Sequence, residues 1–164
     1  MPELLRALLA LEFDYADGEG IDFEPFDSFL SVQETRDWFR AWTGNEEVDG
    51  ADFLVFGQDG TGGYAAIWTV RRDRPLLEQP VVFLGSEGEK GVVASTLHDF
   101  LWLLAGGLGP FGAVSYSDEK PENSQFAAFA VTHSSEPRKS AMEVLSRAKA
   151  EFPDFEERID ALCR

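Results

Sequence analysis

The alternation of apolar and polar residues predicts a group of strands in the middle of the chain. Three short apolar runs, at residues 53–56, 64–70 and 81–84, are typical of buried strands. Helical patterns lie on both sides of this group. Strands that cluster in the middle, with helices toward both ends, indicate an α+β domain and not an alternating parallel sheet.

The helical segments are marked by apolar residues three and four positions apart. The sequence Ser31-Val-Gln-Glu34 is a capping box, and it predicts a helix that ends near Gly44. Pro137 is predicted to lie in the first turn of its helix, whereas residues 127–131 could also form a strand. The other predicted helices cover residues 1–12, 96–105, 121–130, 137–152 and 153–162.

The glycine-rich stretch FGQDGTGGYAAIW, residues 56–68, is predicted to form a β-hairpin. A phosphate-binding loop would need a Gly-Lys-Ser or Gly-Lys-Thr sequence at a helix start, and here a strand follows. A calcium loop that begins at Asp59 would lack its later oxygen ligands and its final glutamate. The Asp59-Gly60 pair supplies turn chemistry with a positive φ at Gly60, and Gly62 or Gly63 can occupy a bulge.

The residues that usually carry catalysis or bind metals do not form a recognisable set. The chain has two histidines, His98 and His133, and one cysteine, so a zinc site is not indicated. Ser86 lacks the first glycine of a nucleophile elbow. Residues 14–22 are acidic, but alanine and glycine stand where a calcium loop needs carboxylates. We therefore predict no catalytic residues, no metal and no cofactor.

Negative charge is the strongest compositional signal in this sequence of 164 residues. The formal net charge is −16, and residues 1–60 alone contain 15 acidic and 3 basic residues. Such a field repels phosphate backbones and anionic lipid surfaces, so nucleic acids and membranes are not expected partners. A basic protein would be attracted. The alternative interpretation is that the acidity only keeps the protein soluble.

The cysteine content and the N-terminus favour a cytoplasmic location. Cys163 is the single cysteine and can form no internal disulfide. Residues 1–12 lack the basic start and the small-residue cleavage site of a signal peptide, and we interpret them as an amphipathic helix packed on the body. No window reaches the ~20 apolar residues that a membrane-spanning helix needs.

Residues 53–105 carry an ordered series of short motifs. The sequence FLVFGQDGTGGYAAIW, followed by PVVFLGSEGEKGVVASTLHDFLWLLA, resembles the central signature of the SMI1/KNR4 family, also called the SUKH superfamily. The tail segment RAKAEFPDFEERI is similar to the C-terminal helical extension of some bacterial members. Residues 1–50 depart from the family pattern, because the usual Leu-Pro-Pro-Tyr-like segment and Asn-Gly-Gly turn are not legible there.

The resemblance implies a single α+β domain over residues 1–164, in which helices flank a mixed, twisted sheet. The family core would lie at about 28–105 and a helical extension at about 121–164. The resemblance also implies a protein without enzymatic activity. Bacterial members are similar to immunity proteins that bind and neutralise toxins, often nucleases or deaminases. Fungal relatives act as interaction proteins in cell-wall regulation and signalling.

A basic toxin domain is the predicted partner, since an acidic protein can occupy the basic substrate groove of a nuclease. One alternative is a regulatory adaptor without a toxin partner. Another is a ligand-binding or enzymatic cleft near Asp59, Trp68 and Glu87, which no motif supports. The residues predicted to contact the partner are Glu12, Asp14, Asp17, Glu19, Asp22, Glu46, Glu47, Asp49, Asp59, Thr61, Trp68 and Glu87.

Overall fold

The centre of the molecule is a five-stranded antiparallel sheet in the computed structural model, which describes residues 1–115 and 118–164. The strands lie side by side in the order in which they occur along the chain. The α+β prediction is confirmed, but the expected mixed sheet is wrong, because each strand pairs antiparallel with the next one. The strands are β1 (Glu24–Pro25), β2 (Phe53–Gln58), β3 (Tyr64–Trp68), β4 (Val81–Leu84) and β5 (Lys90–Ala94).

Seven helices in the described ranges flank the sheet. Two short 3₁₀ turns, at Ala16–Gly18 and Leu76–Glu78, lie in the connections. None of the helices in residues 1–115 and 118–164 has both the length and the apolar composition needed to cross a bilayer. The helices are α1 (Glu3–Leu9), α2 (Val32–Thr43), α3 (Leu97–Ala105), α4 (Pro110–Ser115), α5 (Ser124–His133), α6 (Ala141–Glu151) and α7 (Phe155–Asp160).

Most of the predicted elements are confirmed, with differences at their ends. The stretch at 127–131 is helical and lies within α5. The prediction that Pro137 lies in the first turn of α6 is wrong. That helix starts later, at Ala141, after a second capping box formed by Ser140 and Glu143. The strands β1 and β5 and the helix α4 were not predicted.

Both faces of the sheet are covered, which explains why its strands have continuous apolar sequences. In β3, Ala65 and Ile67 pack into the cluster that contains residues of α1, α3 and α5. The alternate residues Ala66 and Trp68 pack into the cluster that contains residues of α2 and α7. Successive side chains of the strand thus point to opposite faces of the sheet and pack into two separate cores.

The helix α2 begins and ends as its sequence predicts. The Ser31 hydroxyl accepts a hydrogen bond from the Glu34 amide at 3.1 Å, and the Glu34 carboxylate accepts one from the Ser31 amide at 3.0 Å. These bonds lower the pKa of Glu34. At the other end Gly44 adopts the left-handed conformation, with φ of 67°. The helix places Trp42 so that its indole donates to the Gly85 carbonyl at 2.7 Å.

The glycine-rich stretch forms the predicted hairpin between β2 and β3, but its details differ from the prediction. The positive φ lies at Gly62, with a value of 90°, and not at Gly60. The irregularity in the strand pairing falls between Val55 and Gly57, so the bulge is inside β2. Close packing accounts for a glycine here, since a Cβ at Gly57 would lie 2.1 Å from the ring of Phe23.

Candidate functional site

An acidic loop, residues 12–24, runs over the surface between α1 and β1. Its hydrophobic residues fix it to the core: Ile21 and Phe23 are buried, and the ring of Phe13 packs on those of Phe23 and Phe126 with centroids 5.2 and 4.9 Å apart. Its acidic residues are exposed, apart from Asp22, which is half-buried. The carboxylates of the acidic loop are those of Glu12, Asp14, Asp17, Glu19, Asp22 and Glu24.

A tight turn inside the acidic loop holds an aromatic side chain outward. The Ile21 amide donates to the Asp14 carbonyl at 3.0 Å, which closes the turn. A glycine is required at position 20, because a Cβ there would lie 1.9 Å from the Asp14 carbonyl oxygen. Within the turn, the Tyr15 side chain remains 59% exposed. Negative charge and an exposed aromatic ring are therefore presented together.

Hydrogen bonds place the end of the acidic loop beside the β2–β3 hairpin. The Asp22 carboxylate accepts from the Gly60 amide at 3.0 Å. The Glu24 carboxylate accepts from the Gln58 side-chain amide at 3.1 Å, across the pairing of β1 with β2. The loop is thus fixed to the sheet end at which β2 finishes.

The carboxylates of the acidic loop have no cationic partner within residues 1–115 and 118–164. Every ion pair in these ranges joins residues numbered 52 or higher. The sequence contributes to this separation, since 11 of the 14 basic residues follow position 60. The negative charge of the acidic loop is therefore not neutralised within the fold.

Two cations of the C-terminal half, Lys139 and Arg147, instead form a network around a buried carboxylate. Asp99 is fully buried, and its two oxygens accept from Lys139 at 2.9 Å and from Arg147 at 3.0 Å. Burial opposes the ionisation of Glu136, but hydrogen bonds and charges from Lys139 and Arg147 outweigh it and lower the pKa of Glu136. Arg147 also pairs with Glu151 at 3.0 Å. These cations are committed to carboxylates of their own half.

A groove of about 520 Å³ lies beside the acidic loop, and we call it the acidic groove. Asp22 lines it together with Asp118 and Glu119, which come from the segment that follows α4. Sequence reasoning missed this second segment. The run DEKPE at 118–122 shows its polarity, but only the folded chain brings it next to Asp22.

Two of the predicted contact residues have structural roles in the hairpin. Asp59 is 2% exposed, and its carboxylate accepts from the Gly63 amide at 2.7 Å and from the amide and hydroxyl of Thr61. The prediction that Asp59 contacts a partner is therefore wrong, because its oxygens are already used inside the turn. Thr61 is exposed, although its hydroxyl is held by Asp59.

Trp68 was also assigned wrongly to the partner surface. It is 4% exposed, and its ring lies 6.4 Å from that of Phe53 and 4.9 Å from that of Phe155, measured between centroids. It also lies at the far end of β3 from Asp59, about 13 Å away at the rise of a strand. The predicted cleft of Asp59, Trp68 and Glu87 is therefore not formed.

The remaining predicted residues divide between the two ends of β2. Glu87 is exposed in the β4–β5 turn, at the same sheet end as Asp22 and the hairpin. The segment with Glu46, Glu47 and Asp49 precedes β2 and lies at the opposite end, about 17 Å away at the rise of a strand. Its carboxylates do not join those of the acidic loop, so the predicted contact residues do not all lie at one end of the sheet.

The described ranges contain no cluster of side chains suited to binding a metal ion. Within residues 1–115 and 118–164, no group of three or more His, Cys, Asp or Glu side chains is placed to bind a metal ion. His98 is half-buried at the start of α3, where its Nδ1 accepts from the Ser135 amide at 3.1 Å. This histidine therefore helps to fix the segment that precedes α6.

Comparisons with known proteins give no match to a family model, a curated protein or a solved structure. The resemblance of residues 53–105 to the SMI1/KNR4 family thus stays a prediction from the sequence.

Proposed function

We propose that the protein is a non-enzymatic binding protein whose acidic loop contacts a basic surface on another protein. The observation that carries this proposal is the absence of cationic partners for the loop carboxylates, within the described ranges, in a fold that pairs Lys139 and Arg147 with carboxylates of its C-terminal half. Exposed like charges repel one another, and a cationic partner relieves that repulsion.

The arrangement suits fast association with a charged partner. Complementary potentials raise association rates, by roughly 10- to 1,000-fold at low ionic strength. Because the acidic loop is fixed by the buried residues Ile21 and Phe23, its binding to a partner costs little conformational entropy. The exposed ring of Tyr15 can then contribute to the lifetime of the complex.

The particular role we propose is that of a cytoplasmic immunity protein that neutralises a toxin, such as a nuclease or a deaminase. The support for it is the resemblance of the central motifs together with the acidic loop, because toxins that act on nucleic acids carry basic substrate grooves. In this role the acidic loop would occupy that groove or a neighbouring basic surface.

The proposal is tested by expressing the chain with each toxin domain encoded next to its gene. We expect protection of growth and a complex that co-purifies with one of them. The triple variant Glu12→Gln/Asp17→Asn/Glu19→Gln should slow association about 10-fold at low salt, since it removes three unpaired charges. Stopped-flow mixing at several ionic strengths measures this rate.

A matched control removes the same charge from another surface. Asp154, Glu156 and Glu157 are exposed near the start of α7, and Asp154 makes no capping hydrogen bond with its side chain. The variant Asp154→Asn/Glu156→Gln/Glu157→Gln should keep the association rate within about twofold. Equal slowing in both triple variants would reject the acidic loop as the contact surface. Capture of a housekeeping protein with no toxin bound would instead support a regulatory adaptor.

A further inference from the structure

The acidic groove combines features that select a particular kind of chemical group. Its volume of about 520 Å³ lies within the roughly 300–1,000 Å³ of typical ligand sites. Part of its wall is apolar, with Leu108 and Phe111, and four glycines contribute bare backbone. Tyr15 stands at its edge with most of its side chain exposed. The groove is therefore open, partly aromatic and rimmed by carboxylates.

The groove and the acidic loop form one continuous surface. Tyr15, Gly20 and Asp22 of the loop themselves line the groove. On the other side, the segment that carries Asp118 and Glu119 is held over the end of α3, where the Asn123 amide donates to the Ala105 carbonyl at 2.8 Å. A partner segment that contacts the loop therefore also reaches the groove.

The charges that line the groove select a cation. Asp22, Asp118 and Glu119 supply three negative charges, against the single positive charge of Lys120. No ion pair in the described ranges involves Asp118, Glu119 or Lys120. An incoming cation meets carboxylates that are not yet paired, and Lys120 opposes its entry.

We propose that the acidic groove binds an extended basic segment of the partner protein by receiving an arginine side chain between Tyr15 and the carboxylates of Asp118 and Glu119. This proposal rests on the proposed function. Arginine fits better than lysine, because its planar guanidinium stacks on an aromatic face and donates two parallel hydrogen bonds to a carboxylate. Lysine offers only a compact, strongly hydrated charge.

The test uses two synthetic nonapeptides, one alternating glycine with arginine and the other alternating glycine with lysine. Isothermal titration calorimetry at low ionic strength measures their affinities for the full chain. We expect the arginine peptide to bind about 3- to 10-fold more tightly than the lysine peptide. The variant Tyr15→Leu keeps an apolar side chain but removes the ring, and it should abolish this preference.

Two pairs of matched variants locate the binding site. Asp118→Asn/Glu119→Gln should weaken binding of the arginine peptide about fivefold, whereas Glu156→Gln/Glu157→Gln on α7 should change it by less than about twofold. Lys120→Ala should strengthen binding more than Lys149→Ala, since Lys149 is an exposed lysine on α6 that does not line the groove. A variant that improves binding cannot be explained by misfolding.

The possible failures are distinguishable. Equal weakening by the two double variants, or an arginine preference that survives Tyr15→Leu, would overturn the groove proposal and leave the acidic loop as the binding surface. Equal affinity of the wild type and of Glu12→Gln/Asp17→Asn/Glu19→Gln for both peptides would overturn the proposed function, whatever the groove variants do.

Discussion

Replacement of Trp68 by alanine is expected to lower the free energy of unfolding by about 3–5 kcal/mol, the usual cost of removing a large buried aromatic side chain. The indole fills the core between the sheet and α7, where it contacts Phe53 and Phe155 and lies 5.1 Å below the guanidinium of Arg158. Its removal leaves a cavity and abolishes these contacts. Urea unfolding followed by far-ultraviolet circular dichroism measures the loss.

The control is Tyr15→Ala, which truncates an aromatic side chain that is 59% exposed. Its cost should stay within about 0.5 kcal/mol, as for surface substitutions in general. A stable Trp68→Ala variant that binds its partner poorly would show that Trp68 contacts the partner and would contradict its assignment to the core.

Asp99→Ala should destabilise the fold by about 3 kcal/mol, because a buried ion pair that loses one partner leaves charge without compensation. Asp99 is 0% exposed, and Lys139 and Arg147 both donate to it. The variant leaves these two cations to share Glu136, which already pairs with both. The network joins α3 to α6, so its loss weakens the attachment of the C-terminal helices.

The comparison variant is Glu122→Ala, which removes an exposed ion pair with Arg138. Exposed pairs contribute at most about 1 kcal/mol, so this variant should remain near the wild type. Both are measured by urea unfolding at neutral pH. A cost for Asp99→Ala no greater than that of Glu122→Ala would show that the buried network does not stabilise the fold.

The elements predicted correctly from the sequence are those specified by local chemistry. The Ser31–Glu34 capping box and the terminal Gly44 define α2 with residues that lie within or beside the helix itself. The runs that became β2, β3 and β4 were also legible, because a strand covered on both faces is apolar throughout. Short-range signals sufficed in each case.

The elements that were missed depend on long-range pairing. The strand β1 has only two residues, one of them Pro25, and exists because β2 pairs with it. The strand β5 contains Gly91 and starts with Lys90, so its sequence is weakly strand-like without β4 beside it.

The candidate site shows the same limit. The residue types correctly indicated that the surface is acidic. They did not indicate which carboxylates are paired with cations or which residues lie beside them in the fold. Asp59 and Trp68 looked suited to binding by type, and burial assigns both to structural roles. The meeting of Asp22 with Asp118 and Glu119 joins segments almost one hundred positions apart, which no local pattern encodes. Exposure and proximity are properties of the folded chain.

The central claim is that the unpaired carboxylates of the acidic loop contact a cationic surface. Its most direct test is a titration of the ¹⁵N-labelled protein with the glycine–arginine nonapeptide, followed through the backbone amide resonances. We predict that shift changes concentrate in residues 12–24, in the hairpin next to Asp22, and around residues 118–120. Changes of equal size at the backbone amides of the exposed α7 residues Glu156 and Glu157 would show a diffuse response to charge and contradict the claim.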